Sequence, residues 1–376
     1  MAAELNESAM AARALLLDAL RDPCIVTALP PAKTDLTLRL ARRVRLLGRL
    51  AWRLRQAGVL ATQPQVVVDQ MQSALAISEA RARSARWELD RLAWALDDLP
   101  DVPLVAMKGC AYLLAETPNA EGRLFADVDL LVPDADLPRV ELRLRERGWT
   151  TKELTPYDDL YYRRWTHELP PMSHVEREVE VDLHHSILMR TARLKPEPAH
   201  LFEGARKVPG SRYLVLAPVD MVLHAIVHLF YSGEMDGALR ELVDVDDLLR
   251  HFAGEESGFW EQFWPRAEAL DLLRPAFYGV HFARTLLGTP VPASAIAASR
   301  AHKPAAPTLW LMERLVPGAL FPQHLDAPSW RAAFARLMLY VRSHWVKMPA
   351  PMLARHLVYK LYMRHMPQSA TQARIP

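Results

Sequence analysis

The sequence predicts an α+β fold in which a strand-bearing middle is set between two large helical regions. Leucines and other apolar residues recur at helical spacing before Pro100 and again after Pro218. Between those points the apolar runs shorten, alternate, and are separated by proline and glycine. The expected division is therefore residues 1–99, 100–216 and 217–376. A chain of 376 residues has room for two or three domains of this kind.

In the first region, Met10 to Leu20 is apolar with scattered charge, and Pro23, Pro30 and Pro31 end it. Leu36 to Ala57 reads as one amphipathic helix whose arginines face water or acidic neighbours rather than nucleic acid. Gln65 to Leu99 reads as a second long helix, with Glu79, Arg81, Arg83, Glu88 and Arg91 mixing both signs of charge.

The middle region opens with a strand from Val102 to Met107 that runs into Lys108-Gly109-Cys110. A helix is expected over Ala111 to Glu116, a loop through Pro118, Asn119 and Gly122, and then the apolar strand Arg123 to Val132. Asp136 to Arg147 reads as a helix stopped by Gly148. Strands are expected over Trp149 to Leu154, over the aromatic Leu160 to Glu168, and over the alternating Val175 to His184, with Pro170-Pro171 as a turn. Tyr213 to Leu216 makes a last short strand.

Helices follow over Val219 to Tyr231, Gly237 to Phe252, Glu261 to Leu287, Pro307 to Val316 and Trp330 to Val346. Beyond Asp326 there is no acidic residue and there are eight basic ones (Arg331, Arg336, Arg342, Lys347, Arg355, Lys360, Arg364 and Arg374). This basic tail is expected to dock on acidic helices of its own chain, with weak contact to an anionic membrane as the other possibility.

Composition excludes several classes. The chain is 51% hydrophobic and 24% charged, as globular proteins are, and its net charge of +2 gives no strong nucleic-acid signal. Cys24 and Cys110 alone cannot form a disulfide framework, which fits a reducing, cytoplasmic setting. The best apolar run, Tyr213 to Tyr231, is interrupted by Asp220, His224 and His228, so it reads as a buried helix and not a membrane span. Glu4 and Glu7 precede the first apolar stretch, unlike a secretory signal. There is no internal repeat, no Walker loop, no Gly-x-Ser-x-Gly elbow, no His-Glu-x-x-His and no His-Asp pair.

The chemistry concentrates in Asp127-Val-Asp129-Leu-Leu-Val. Residues i and i+2 of a strand face one side, so Asp127 and Asp129 project together while Val128 and Leu130 enter the core. Two anions this close repel unless a cation sits between them, and Mg2+ prefers such oxygens. From this stretch alone, a metal site and a solvated strand end both stay open. Asp134/Asp136 has the same spacing but reads as a turn and helix cap. Asp244/Asp246 lies in a helix near Arg240 and reads as a charged face, with Asp244 within reach of a cleft.

Asp182 leaves a second strand on its polar face. Three carboxylates on neighbouring strands can hold two divalent ions, as in-line phosphoryl or nucleotidyl transfer requires. Lys108 and Gly109 offer a cation and close backbone approach to a phosphate, and Arg123 offers a bidentate clamp. His184 shares the face of Asp182 and is placed to orient a phosphate or a carboxylate, whereas His185 points away and reads as structural. His224 and His228 have zinc-compatible spacing but lack a third ligand in sequence, so a packing role is expected; His167, Trp260 and Trp264 read as core.

Taken in order, Lys108-Gly109, Arg123, Asp127-x-Asp129-Leu-Leu-Val, Gly148-Trp149 and Val181-Asp182-Leu183-His184 resemble the uncharacterised nucleotidyltransferase family of the polymerase-β-like superfamily. The resemblance covers about residues 100 to 190, with a looser match around His228 and Asp244. It implies a small mixed sheet as the nucleotidyltransferase core, two metal ions (Mg2+ or Mn2+), and transfer of a nucleoside monophosphate from a nucleoside triphosphate such as ATP. The acceptor would be a small molecule or a macromolecule. It places Asp127, Asp129 and Asp182 as metal ligands, and Lys108, Gly109 and Arg123 on the triphosphate. Gly109-Cys110 stands where the wider superfamily has Gly-Ser, and a helix and loop precede Arg123. The alternative is a catalytically silent nucleotide-binding or scaffold protein with the same fold.

Overall fold

The computed structural model describes residues 13–177, 179–322 and 329–365. Glu4, Glu7, Met10, Glu178, Asp326 and Arg374 therefore lie outside the described residues. The fold is α+β, with a seven-stranded mixed sheet flanked by helical regions.

Helix α1 (13–21) leads through a 3-10 turn to α2 (Pro31–Arg43) and α3 (Leu47–Gln56). The single helix expected over 36–57 is two, because the chain reverses at Arg45, whose φ is 59°. Helix α4 (Gln65–Ala95) packs on α3 and on the sheet. Two of its contacts are buried: Glu88, fully enclosed, takes the Arg177 guanidinium at 2.8 Å, and the Leu89 carbonyl accepts from the Tyr213 hydroxyl at 2.7 Å.

All seven strands fall between Val105 and Val215: β1 (Val105–Ala106), β2 (Asp127–Leu131), β3 (Trp149–Thr151), β4 (Met172–His174), β5 (Glu180–His184), β6 (Arg206–Lys207) and β7 (Leu214–Val215). Their spatial order is β3-β4-β5-β2-β1-β7-β6. The pairs β2/β5 and β1/β7 are parallel and the others antiparallel. Helix α5 (Lys108–Leu114) begins at Lys108, three residues earlier than expected, and α6 (Leu137–Glu146) packs near β3.

Two strand expectations are corrected. Residues 160–168 are mostly helix: α7 runs Pro156–Trp165, started by the Thr155 hydroxyl accepting from the Asp158 amide and by Pro156 in the first turn. Acidic Asp158 and Asp159 at its start and basic Arg163 and Arg164 at its end suit the helix dipole. The strand expected over 175–184 is β5 alone; a turn separates it from β4 where Arg177 breaks the alternation.

After a short helix, α8 (Pro198–Glu203), come α9 (Pro218–Tyr231) and α10 (Leu239–Glu255). The stretch expected as one helix over 261–287 is α11 (Phe259–Ala269) and α12 (Leu273–Phe282), separated at Asp271 with φ 55° and continued by a π turn. Helices α13 (Ala293–Ser299), α14 (Ala306–Leu320), α15 (Trp330–Lys347) and α16 (Ala350–His365) complete the described residues. Helix α9 is buried almost end to end beneath α10, α11, α12 and α15. One buried apolar cluster runs from Leu16 to Met348. Among the described residues no helix is long and apolar enough to cross a membrane.

Helix α15 docks on its own chain, but mainly through backbone carbonyls and one turn aspartate rather than on the acidic helices expected of the tail. Arg336 pairs with Asp236 at 3.3 Å, Arg342 donates to the Phe230 carbonyl, and the Lys347 ammonium donates to the Ser232 carbonyl at 2.6 Å.

Candidate active site

The two central parallel strands deliver the acids. Pairing of β2 with β5 sets Asp129 beside Asp182 and Asp127 beside Glu180. With side chains alternating along each strand, Asp127, Asp129, Asp182 and His184 share one face, and Val128, Leu130, Val181 and Leu183 fill the other with almost no exposure.

Asp129 is the hub. Its Oδ1 lies 2.6 Å from the Lys108 ammonium and 2.9 Å from His184 Nε2, and the side chain is 1% exposed. Burial alone would raise this carboxyl, but Lys108 and His184 outweigh it and hold it below the usual range. Burial opposes the Lys108 charge too, and Asp129 more than restores it. Lys108 sits at φ 47°, a conformation that costs roughly 1–3 kcal/mol and that its contact with Asp129 holds in place.

Asp182 is the contrast. Its Oδ1 is buried with no hydrogen-bond partner, and its carboxyl is pushed up to about 8, first by burial and then by Asp129 and Glu168. Asp127 is exposed at the mouth of the strand; partial enclosure and then Asp129 raise it. Single ligand atoms of Asp129, Asp182 and His184 all lie within 4.8 Å of one another. Asp127 shares their face but stands outside that close group.

A polar cleft opens beside Asp127, lined by Lys108, Gly109, Tyr112, Arg123, Asp127, Arg240 and Asp244 among others. Its enclosed space is only about 100 Å³, below the size of most small-ligand sites, so it would hold part of a ligand such as a phosphate group. Gly109 leaves room there that a side chain would take: a Cβ would stand 3.1 Å from the Phe125 ring and 3.3 Å from Arg123 Nε. Cys110 turns away from the cleft, its thiol buried 3.7 Å from the Asp127 carbonyl.

Arg123 reaches the cleft but is held by a helix. Its guanidinium donates to both Asp244 oxygens and lies over the Tyr112 ring; burial opposes its charge, and Asp244 more than restores it. The charged face expected at Asp244 and Asp246 is therefore a buried one: Asp246 takes Thr289 and Arg250, and neighbouring Asp247 takes Arg49 at 2.7 Å. His224 is enclosed in α9, which agrees with a packing role, whereas His228 lines the cleft and faces Glu241 at 3.3 Å. His185 Nε2 meets the Thr166 carbonyl at 3.2 Å. Trp264 is buried and donates to the Ala295 carbonyl, and Trp260 is half-buried against the core.

Sequence reading missed Glu168, Arg240 and Arg45. Glu168 comes near His184 through an isolated bridge between the two residues, hidden by the strand assigned to α7. Arg240 and Arg45 line the cleft only because α10 and the α2–α3 turn pack there.

No curated protein and no solved structure matches the chain. The profile of a family described as uncharacterised nucleotidyltransferase matches residues 30–288, well over half of the chain and every strand of the sheet. The chain belongs to the uncharacterised nucleotidyltransferase family.

Proposed function

We propose that the chain moves a nucleoside monophosphate from a nucleoside triphosphate to an acceptor hydroxyl, amine or phosphate, with a divalent metal held by Asp127, Asp129 and Asp182. The observation that carries this is the buried, partnerless Asp182 oxygen facing Asp129 across parallel strands. An orphaned carboxylate oxygen is costly unless a ligand takes it. These oxygens fit a hard dication, Mg2+ or Mn2+, which when bound would neutralise phosphate charge and lower the pKa of the attacking group.

The remaining roles belong to the chain. Lys108 keeps Asp129 ionised and stands at the cleft, His184 orients Asp129 from behind, and Gly109 lets the triphosphate approach the backbone. Arg123 and Arg240 supply positive charge for the phosphate oxygens, Arg123 remaining braced by Asp244. With full-length protein and Mg2+, calorimetry is expected to detect ATP or GTP binding that Asp127→Ala removes while circular dichroism stays unchanged. Binding that survives in that variant overturns the assignment. Release of pyrophosphate with an acceptor distinguishes transfer from the silent nucleotide-binding alternative, which the turned-away Cys110 favours.

A second proposal concerns partners. Trp330, Phe334, Leu337, Val341 and Trp345 form one exposed stripe along α15, opposite the docked Ala332, Ala335 and Leu339. With the basic residues beside it, this stripe suits an anionic membrane surface.

A further inference from the structure

We propose that His167, Glu168 and His184 form a separate site for a borderline transition-metal dication of the zinc class, adjoining the carboxylate site through Asp129. The inference goes beyond nucleotidyl transfer and does not depend on it.

Geometry comes first. One ligand atom from each of the three residues lies within 4.8 Å of the other two. Glu168 Oε2 is 3.4 Å from His184 Nδ1 and 3.7 Å from His167 Nε2. Ligands about 2.0–2.1 Å from a tetrahedral ion stand roughly 3.4 Å apart, so these separations need little adjustment. The backbone already fixes them. The Leu169 amide donates to the Leu183 carbonyl at 2.9 Å, and the His185 amide donates to the His167 carbonyl at 2.9 Å. Glu168 and His184 are bridge partners.

The proton placement gives an independent argument. His184 Nε2 is 2.9 Å from Asp129 Oδ1, an anionic acceptor, so Nε2 carries the hydrogen. In the neutral ring Nδ1 then presents a lone pair. That nitrogen is buried, has no hydrogen-bond partner, belongs to a side chain only 1% exposed, and points toward the Glu168 carboxylate. A buried nitrogen lone pair facing a partly enclosed carboxylate is an arrangement that a cation between them relieves. A carboxylate–imidazole–metal chain, with Asp129 as the carboxylate, is the usual arrangement behind a ligating histidine.

The donor set selects the metal. Two imidazole nitrogens and one carboxylate suit zinc and its neighbours, whereas Mg2+ takes oxygen. Three protein ligands leave a position open, and the bound ion would fasten the segment after α7 to the end of β5.

The test uses the full chain, stripped with a chelator and titrated with Zn2+ against a chromophoric competitor in millimolar Mg2+. One equivalent of Zn2+ is expected, and Co2+ in its place should give visible ligand-field bands of a four- or five-coordinate site. Glu168→Gln and His167→Ala should each weaken Zn2+ by more than about 10-fold, the least that loss of an outer-shell partner causes. Asp127→Ala should leave Zn2+ uptake unchanged, whether or not nucleotide binding survives in it. The proposal is overturned if the wild-type chain takes up no stoichiometric Zn2+, as an imidazolium bridging Asp129 and Glu168 would dictate. Uptake unmoved by both substitutions overturns it equally. If either variant fails to fold, electron spin echo spectroscopy on the wild-type chain loaded with Cu2+ decides, two coordinated imidazoles supporting the site and none refuting it.

Discussion

Asp182 has a folded pKa of about 8 against an ordinary value of 3.8. The folded chain therefore binds a proton over that interval that the unfolded chain has released, and metal-free stability falls as pH rises from about 4 to 8. Asp182→Asn should flatten that fall and stabilise the metal-free protein at pH 9 by about 1–3 kcal/mol, read from urea midpoints. The same substitution should abolish pyrophosphate release. The buried imidazoles act in the opposite direction. Burial above all pushes His224 and His167 well below 6.5, and burial and then Arg190 push His185 down to about 4. Each is neutral when folded and takes a proton on unfolding, so acidification below pH 6.5 costs up to about 1.4 kcal/mol per pH unit for each group. Denaturant melts between pH 7 and 5 should show this loss, and His224→Leu should reduce its slope. At this scale the sequence was informative about Asp127 and Asp129, because strand alternation alone puts them on one face, whereas Asp182 joins them only through the register of β5 on β2. It could not reveal that Lys108 would neutralise Asp129, since that contact depends on how α5 leaves β1.

Elements meet closely where the loop before β2 crosses α3. The backbones of Gly48 and Gly122 touch, so a Cβ on either would collide with the other's carbonyl, and Gly122 has φ +70°. Gly122→Ala should cost at least about 2 kcal/mol, whereas Gly210→Ala, also at φ +70° but in open space, should cost about 1–2 kcal/mol. Urea midpoints of the two variants separate crowding from conformation. The buried Arg49–Asp247 pair lies in the same contact and joins α3 to α10. Element boundaries show what periodicity carries and what it omits. The long helices α4, α9 and α10 are evident from apolar spacing. Helix α7 was not, because its aromatic residues resemble a strand and its determinants are the Thr155 cap and charged ends. The Arg123–Asp244 pair spans 121 positions and involves no local pattern, so only packing of α10 against the loop reveals it.

For the whole molecule, the exposed stripe of α15 carries the membrane proposal. Full-length chain should bind phosphatidylserine-rich vesicles at low salt and release them at about 0.5 M salt, as exposed charge is screened. Trp330→Ala with Trp345→Ala should weaken sedimentation with vesicles several-fold, and absence of binding at low salt removes the membrane proposal. The parallel pairing of β2 with β5 has a different consequence. The neighbours Asp129 and Asp182 are contributed by stretches separated by a helix, an antiparallel strand pair and α7, and a slip of one position would turn Asp182 to the apolar side. While the chain is still being synthesised, or whenever that junction opens, the carboxylate pair on which the proposed function rests does not exist even in weakened form. Correct alignment of two five-residue segments thus decides whether the two carboxylates meet at all.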